Sequence, residues 1–175
     1  MDGKDVARGI LRASIGTTMI AHGVRHGRTL DGTAGWFDSI GFRRARLQAA
    51  ASSVVEVGAG AALLAGAATS MSAAAVVGTM IVAARSVHAS NGFFVVNEGY
   101  EFVLNLGVAS VALAALGPGR FSVDHVLGVD EILTGRQRAA LALGVGVAAG
   151  AAQLAVFWRR PTQPAVQPVD AIAPS

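Results

Sequence analysis

The 175-residue sequence contains no cysteine and little charge. The absence of cysteine excludes disulfide exchange, thiolate nucleophiles and Cys-ligated zinc or iron–sulfur sites as native activities of these residues. Charged residues make up only 14% of the chain, against roughly 25% in soluble domains. Since 53% of the residues are hydrophobic and the mean hydropathy is +0.52, the composition is that of a membrane protein.

Motifs of nucleotide and hydrolase chemistry are also missing from the sequence. It has no Walker-type phosphate loop, GxGxxG fingerprint, GxSxG or HExxH. The formal net charge of +3 does not indicate a nucleic-acid partner, because the basic residues flank apolar runs as interface residues do. The opening "MDGKDVARGILRAS" is not typical of a cleavable signal peptide, because Arg8 and Arg12 interrupt its apolar stretch.

Long apolar runs are the strongest positive signal. A helix needs about 17–25 mostly apolar residues to cross a bilayer core, and no run shows the alternation of a membrane strand. The sequence therefore predicts an all-α, polytopic transmembrane helical bundle. Its five predicted spans are Val6–Val24, Leu47–Ala68, Met71–Val87, Glu98–Leu116 and Ala139–Trp158.

The segments between these runs carry interface and turn residues. Trp36 and Phe37 are candidate interfacial anchors in a predicted loop, and Ser70 or Ser72 is placed to cap the third span. A Gly-Pro-Gly breaker opens a charged connector before the fifth span, and a proline-rich tail, 159–175, is predicted to be disordered. Lys and Arg are shared almost evenly between the two sides, so the orientation in the membrane stays open.

Small residues recur at helical spacing, with Gly146 and Gly150 forming a GxxxG in the fifth span. Such spacing lets helix backbones approach closely in lipid. Packing within the bundle is the simpler interpretation, and a homo-oligomer joined through the fifth span is the alternative.

Ionisable side chains inside or beside the spans are the candidate functional residues, since a charge in a bilayer is costly. Counting depth along the helices predicts a buried ion pair between Arg12 and Glu56. Seven further polar residues are expected to converge at one mouth of the bundle: His22, His26, Arg85, His88, Glu98, Tyr100 and Glu101.

Two interpretations of this polar mouth stay open. Glu101 and Arg85 could simply neutralise each other, or the mouth could be a functional pocket. The i,i+4 spacing of His22 and His26, with His88 as a third residue, would suit metal or haem ligation. Solvated or hydrogen-bonded histidines are the favoured interpretation, so no metal is predicted and haem is disfavoured.

Several blocks together resemble the DoxX family: "AHG" from Ala21, "GTAGWFDSIGF" from Gly32, "EVGAGAALLAG" from Glu56, "VHASNGFFVVNEGYEF" from Val87 and "LGPGRFSVD" from Leu116. The resemblance implies a four-helix module in the bacterial plasma membrane, in a family named for a subunit of a thiosulfate:quinone oxidoreductase. It also implies recurring polar positions at His22, Glu56, Asn91, Gly92, Tyr100 and Glu101. The corresponding division of the chain is a module over 6–124, a connector over 125–138, an additional span over 139–158 and the tail.

The first functional hypothesis is a multi-pass membrane subunit of a quinone-linked or oxidative-stress redox complex. It would be part of an oxidoreductase rather than a complete enzyme, with a quinone as candidate cofactor and a separate oxidoreductase partner supplying electrons. The predicted catalytic residues are Glu56 and Glu101, which would relay protons, and His22, which would bind a quinone carbonyl. The predicted ligand-binding residues are Arg12, Arg85, His88, Asn91 and Tyr100.

Two other functions fit the same residues. A non-enzymatic membrane scaffold would recruit a soluble oxidoreductase through the charged connector and would keep its complex after Glu56→Gln. A small ion or solute transporter would use the buried charges as a pathway and would show coupled flux in liposomes.

Overall fold

The computed structural model describes residues 2–161, and over these residues the chain forms seven α-helices. They are α1 (Gly3–Arg28), α2 (Leu30–Ser39), α3 (Ala45–Ala65), α4 (Thr69–Ala83), α5 (Glu101–Leu116), α6 (Val123–Val126) and α7 (Gly135–Phe157). A π-helical turn, Ala84–His88, and 3-10 turns at Ala89–Asn91 and Val95–Asn97 lie between α4 and α5. The predicted all-α bundle is confirmed, whereas the predicted disordered tail lies, after its first three residues, outside the described residues.

Three helices of the described chain are long and apolar enough to cross a membrane: Ala45–Ala65, Thr69–Asn91 and Gly135–Phe157. α5 is apolar, but its 16 residues give only about 24 Å, which is short of a bilayer core of about 30 Å. α1 is long enough, but Lys4, Arg8 and Arg12 make its first half polar. By length and composition, the structure supports the second, third and fifth predicted spans, whereas the first and the fourth stay predictions.

Four helices, α1, α3, α4 and α5, surround a common apolar core, and α7 packs outside it against α4 and α5. Ile15, Met19, Leu63, Val76 and Leu113 form the centre of this core. The bundle therefore has four inner helices and a fifth long helix, although the proposed division of the chain into domains stays a prediction.

Glycines set how closely the helices approach. A Cβ at Gly16 of α1 would lie 2.7 Å from the carbonyl oxygen of Gly60 in α3. A Cβ at Gly146 of α7 would lie 2.6 Å from the Cβ of Val77 in α4. The GxxxG of α7 therefore packs against α4 within the chain, which agrees with the simpler of the two interpretations. The same helix face is not available to a second copy of the chain.

α2 forms where the sequence predicts a loop. Phe37 is buried and its ring centroid lies 5.1 Å from that of Phe42, whereas Trp36 is exposed. Phe37 is therefore a core residue rather than an interfacial anchor. Two glycines and a threonine within α2 give it the composition of a loop, so only tertiary packing reveals the helix.

The N-terminus of α4 is capped from a distance. Asp124, in the short helix α6, accepts hydrogen bonds from the backbone nitrogens of Ala68 at 2.6 Å and Thr69 at 2.9 Å. The predicted serine cap is wrong, since the Ser72 hydroxyl donates to the carbonyl of Ala67 instead. A carboxylate suits this position because the first amides of a helix carry partial positive charge.

The bundle has two chemically different ends. At the first, α1 and α7 begin and α3 and α5 end, and Arg8 donates from Nε to the carbonyl of Leu116 at 3.1 Å. At the second, α7 ends, and Trp158 pairs with Phe42 in an isolated β-bridge. We call these the Arg12 end and the Trp158 end. Residues 2 and 161 lie at opposite ends, as the odd number of apolar runs predicts.

We expect Gly146→Ala to lower the free energy of unfolding by about 1–3 kcal/mol, because the new Cβ forces α4 and α7 apart. Unfolding in mixed detergent micelles would measure the change. Gly144→Ala is the matched control, because nothing lies within 4 Å of a Cβ there. Equal stability of the two variants would contradict close packing of α7 through Gly146.

Candidate functional site

Glu56 is a buried carboxylate near the middle of α3. Glu56 is only 4% exposed, and it lies about 16 Å along the helix from Ala45. Ser52 donates from Oγ to Oε1 at 2.7 Å. Oε2 lies 3.0 Å from Nδ1 of His26 without the alignment of a hydrogen bond, and within the described residues neither atom has another partner. The carboxylate therefore keeps hydrogen-bonding capacity that the described fold does not use.

Helix direction explains why His26 and Glu56 meet. In an α-helix each Cα–Cβ bond tilts toward the N-terminus. α1 and α3 are antiparallel neighbours, so the side chain of His26 tilts along α1 toward Glu56, and that of Glu56 tilts toward His26. The Ser53 hydroxyl fixes the register of this contact by donating to the carbonyl of Gly23 at 2.7 Å.

Aromatic rings surround the imidazole of His26. The ring centroid of Trp36 lies 6.4 Å from it and that of Phe37 lies 6.5 Å away. The exposed ring of His22 lies 6.4 Å from His26 and stacks on Phe102 at 6.3 Å. We call His22, His26, Ser52 and Glu56 the Glu56 cluster; it runs from a buried carboxylate to an exposed imidazole.

This arrangement can exchange protons. A carboxylate and two imidazoles are the side chains most used in general acid–base chemistry. Because the carboxylate is buried between apolar helices, a proton on it is shielded from water, while His22 connects the cluster to the surface. The sequence prediction names Glu56 and His22 but omits His26 from the site. Its i,i+4 spacing from His22 is the signal that identifies it.

The predicted ion pair between Arg12 and Glu56 is wrong. Arg12 is 9% exposed and lies at the opposite end of the bundle, where its guanidinium donates only to backbone carbonyls. The acceptors are Leu63 at 2.9 Å, Leu64 at 2.5 Å, Phe121 at 2.7 Å and Pro118 at 3.2 Å. Its Cβ tilts toward the start of α1, away from Glu56, and the last carbonyls of α3 carry partial negative charge.

Four other predicted site residues organise the loop between α4 and α5 instead. His88 Nδ1 lies 2.6 Å from the carbonyl oxygen of Glu98, and Asn91 donates to the same oxygen at 3.4 Å. Glu101 accepts from the backbone nitrogen of Val95 at 3.0 Å. The ring of Tyr100 packs edge-on against Phe93, with centroids 5.5 Å apart. None of these contacts involves the Glu56 cluster.

Arg85 does not neutralise Glu101. Its guanidinium carbon instead lies 4.6 Å from the ring centroid of Trp158, in a cation–π contact. Of the predicted residues, the structure thus brings His22 and Glu56 into one cluster and leaves Arg85 separate from it.

An apolar groove of about 510 Å³ lies between α4, α5 and α7. Met80, Val103, Gly107 and Leu143 contribute to its walls, and Tyr100 is its one residue with a polar side-chain atom. Its walls are suited to hydrocarbon.

Comparison with known proteins gives one family match, over part of the chain. The sequence model of the DoxX family matches residues 7–89, which include all four members of the Glu56 cluster. No curated protein and no solved structure matches the chain.

Arg12 and Glu56 should contribute independently to stability. We expect Arg12→Met to lower the free energy of unfolding by about 3 kcal/mol, because buried carbonyls lose a charged donor. Its coupling energy with Glu56→Gln should stay below about 0.5 kcal/mol in a double-mutant cycle.

The matched cycle pairs His26→Gln with Glu56→Gln, whose side chains touch. Here we expect a coupling energy of about 0.5–3 kcal/mol. A coupling energy that is larger for Arg12 with Glu56 than for His26 with Glu56 would contradict the structure and would support an Arg12–Glu56 ion pair.

Proposed function

We propose that this chain is a membrane subunit of a quinone-linked redox complex. The premise is the match of residues 7–89 to the DoxX family model. The observation that carries the proposal is the Glu56 cluster, where His26 and Ser52 lie 3.0 Å and 2.7 Å from a buried carboxylate. Members of this family are membrane proteins often linked to redox or stress functions, which supports the same assignment. The setting that we propose is the bacterial plasma membrane.

Reduction of a quinone to a quinol requires two electrons and two protons. A separate oxidoreductase would supply the electrons, since the cysteine-free chain carries no thiolate to hold an iron–sulfur cluster. The imidazole N–H of His22 or His26 would donate to a quinone carbonyl. Glu56 would deliver one proton to a reduced quinone oxygen and would be reprotonated through His26 and the exposed His22. The second quinone oxygen would take its proton from water at the membrane surface, so that two electrons and two protons give the quinol.

Aromatic side chains beside the cluster could stack on a quinone ring. Trp36 and Phe102 present aromatic faces beside His26 and His22. Two polar atoms here have no partner among the described residues, His26 Nδ1 and Glu56 Oε2. A quinone carbonyl could accept from the imidazole, and a quinol hydroxyl could donate to the carboxylate. An isoprenoid tail would stay in lipid, along the exposed apolar faces of the helices.

A scaffold is the second candidate function, and the connector between α5 and α7 favours it. Val126, Leu127 and Ile132 are 83%, 67% and 71% exposed. Large apolar side chains exposed together on a connector are typical of a protein-binding surface. A scaffold's complex would survive Glu56→Gln and would be lost with Leu127→Ser and Ile132→Ser.

Quinone binding can be measured at the cluster itself. The chain has two tryptophans, so Trp158→Phe leaves Trp36, beside His26, as the sole fluorescent indole. We expect a short-chain quinone to quench Trp36 saturably in nanodiscs. Glu56→Gln or His26→Gln should raise the Kd several-fold, because the imidazole N–H that donates to the quinone carbonyl is removed or loses the carboxylate that orients it, and a neutral hydrogen bond is worth about 0.5–1.5 kcal/mol.

Glu98→Gln is the control for this titration, since Glu98 is exposed and its carbonyl, not its carboxylate, holds the neighbouring loop. It should leave the Kd unchanged. Quenching that never saturates, or the same Kd in Glu56→Gln as in the parent, would exclude quinone binding at the Glu56 cluster.

A further inference from the structure

A polar cavity of about 780 Å³ lies at the Trp158 end of the bundle. Its walls include two arginines, three serines and one tryptophan: Arg85, Arg160, Ser39, Ser86, Ser90 and Trp158. It shares no lining residue with the Glu56 cluster. Its lining carries two positive charges and no carboxylate.

Both arginines are available to a ligand. Arg85 is exposed, and its guanidinium carbon lies 4.6 Å from the ring centroid of Trp158. Among residues 2–161, neither Arg85 nor Arg160 forms a salt bridge with a carboxylate. The hydroxyls of Ser39 and Ser86 already donate to backbone carbonyls, so the guanidinium groups are the main donors facing the cavity.

The charged cavity at the Arg12 end is different. Arg8, Arg120 and Arg138 line it together with three aspartates, Asp2, Asp5 and Asp130. Arg8 pairs with Asp5 at 3.0 Å, and a hydrogen bond from His125 lowers the pKa of Asp130, which keeps that carboxyl ionised. The lining of this cavity thus holds three arginines and three aspartates, whereas no described residue forms a salt bridge with Arg85 or Arg160.

The position of the cavity indicates which kind of anion could bind Arg85 and Arg160. The spanning helix Gly135–Phe157 ends directly before Trp158, and Thr69–Asn91 contributes Arg85 near its end. The Trp158 ring donates from Nε1 to the carbonyl of Ile40 at 2.8 Å and so is fixed in place. Tryptophan and arginine at the ends of membrane spans lie at the depth of the lipid headgroups.

We propose that this cavity binds the phosphate of an anionic phospholipid headgroup between Arg85 and Arg160. The planar guanidinium group matches phosphate with paired N–H donors, and its weak hydration favours sites at an interface. An anionic lipid adds a net negative charge that a zwitterionic lipid lacks. The site is independent of the redox proposal and would exist in a scaffold as well.

Trp158 makes the site directly observable. In Trp36→Phe it is the sole indole, so lipids brominated on their acyl chains report their proximity by quenching it. In nanodiscs with a small fraction of brominated lipid, we expect phosphatidylglycerol to quench Trp158 more than phosphatidylcholine does. Arg85→Gln with Arg160→Gln should lower the preference for phosphatidylglycerol about tenfold, which corresponds to about 1.4 kcal/mol.

Two further variants separate a specific site from general attraction. Arg25→Gln with Arg28→Gln removes the same charge from exposed arginines at the same end of the bundle and should keep the preference. Arg85→Lys with Arg160→Lys keeps the charge without the planar fork and should give an intermediate preference. The intermediate value would also show that loss in the glutamine variant is not a failure to fold.

Three results would overturn the proposal. The first is equal quenching by the two lipids in the parent protein. The second is equal loss of preference in the Arg25/Arg28 and Arg85/Arg160 glutamine variants, which would indicate surface charge alone. The third is free inorganic phosphate changing Trp158 emission in phosphatidylcholine nanodiscs with the same arginine dependence and no lipid preference, which would assign the site to a soluble anion.

Discussion

The guanidinium of Arg12 holds one end of the bundle together. Its donors reach the last carbonyls of α3 and two carbonyls of the connector after α5, so a single side chain of α1 joins three parts of the chain. Backbone carbonyls inside a membrane protein need partners, because little or no water reaches them. Gly66, at a φ of 67°, ends α3 beside this guanidinium, where a Cβ would lie 2.7 Å from its central carbon.

The same requirement explains the neighbouring charges. Arg8 and Arg138 donate to carbonyls at the end of α5, and Asp124 accepts from the first amides of α4. These charged groups satisfy helix termini, so they are committed to the fold. Glu56, near the middle of α3, and Arg85, toward the Trp158 end, have bonding capacity that the described fold does not use, which is why the two proposals are placed at these residues.

Much of the architecture can be predicted from the sequence because it follows from composition and spacing. Long apolar runs predict the bundle, and Gly146 and Gly150 predict close packing, although the sequence does not show that α4 is the neighbour. The site is harder to predict. Depth along a helix suggested that Arg12 meets Glu56, but the tilt of each Cβ sends the two side chains apart and brings His26 to Glu56 instead.

Long-range contacts account for the other differences. Asp124 caps α4 from more than 50 positions away, and local serines gave no hint of that. Depth along the helices places His88 and Glu101 at the same mouth as the cluster, yet both bond to the backbone of one short loop, as Asn91 does. The carboxylates of "NEGYEF" thus stand at a helix start where one of them, Glu101, fixes the loop that leads into α5.

Infrared difference spectroscopy of the carboxyl groups tests the central claim most directly. Spectra of the protein in nanodiscs would be compared with bound short-chain quinone and with the corresponding quinol. Proton transfer through Glu56 predicts a carboxyl band that changes between the two states in the parent and in Glu98→Gln and is missing in Glu56→Gln. A spectrum without that change, or one that Glu56→Gln leaves intact, would contradict a role for Glu56 in quinone chemistry.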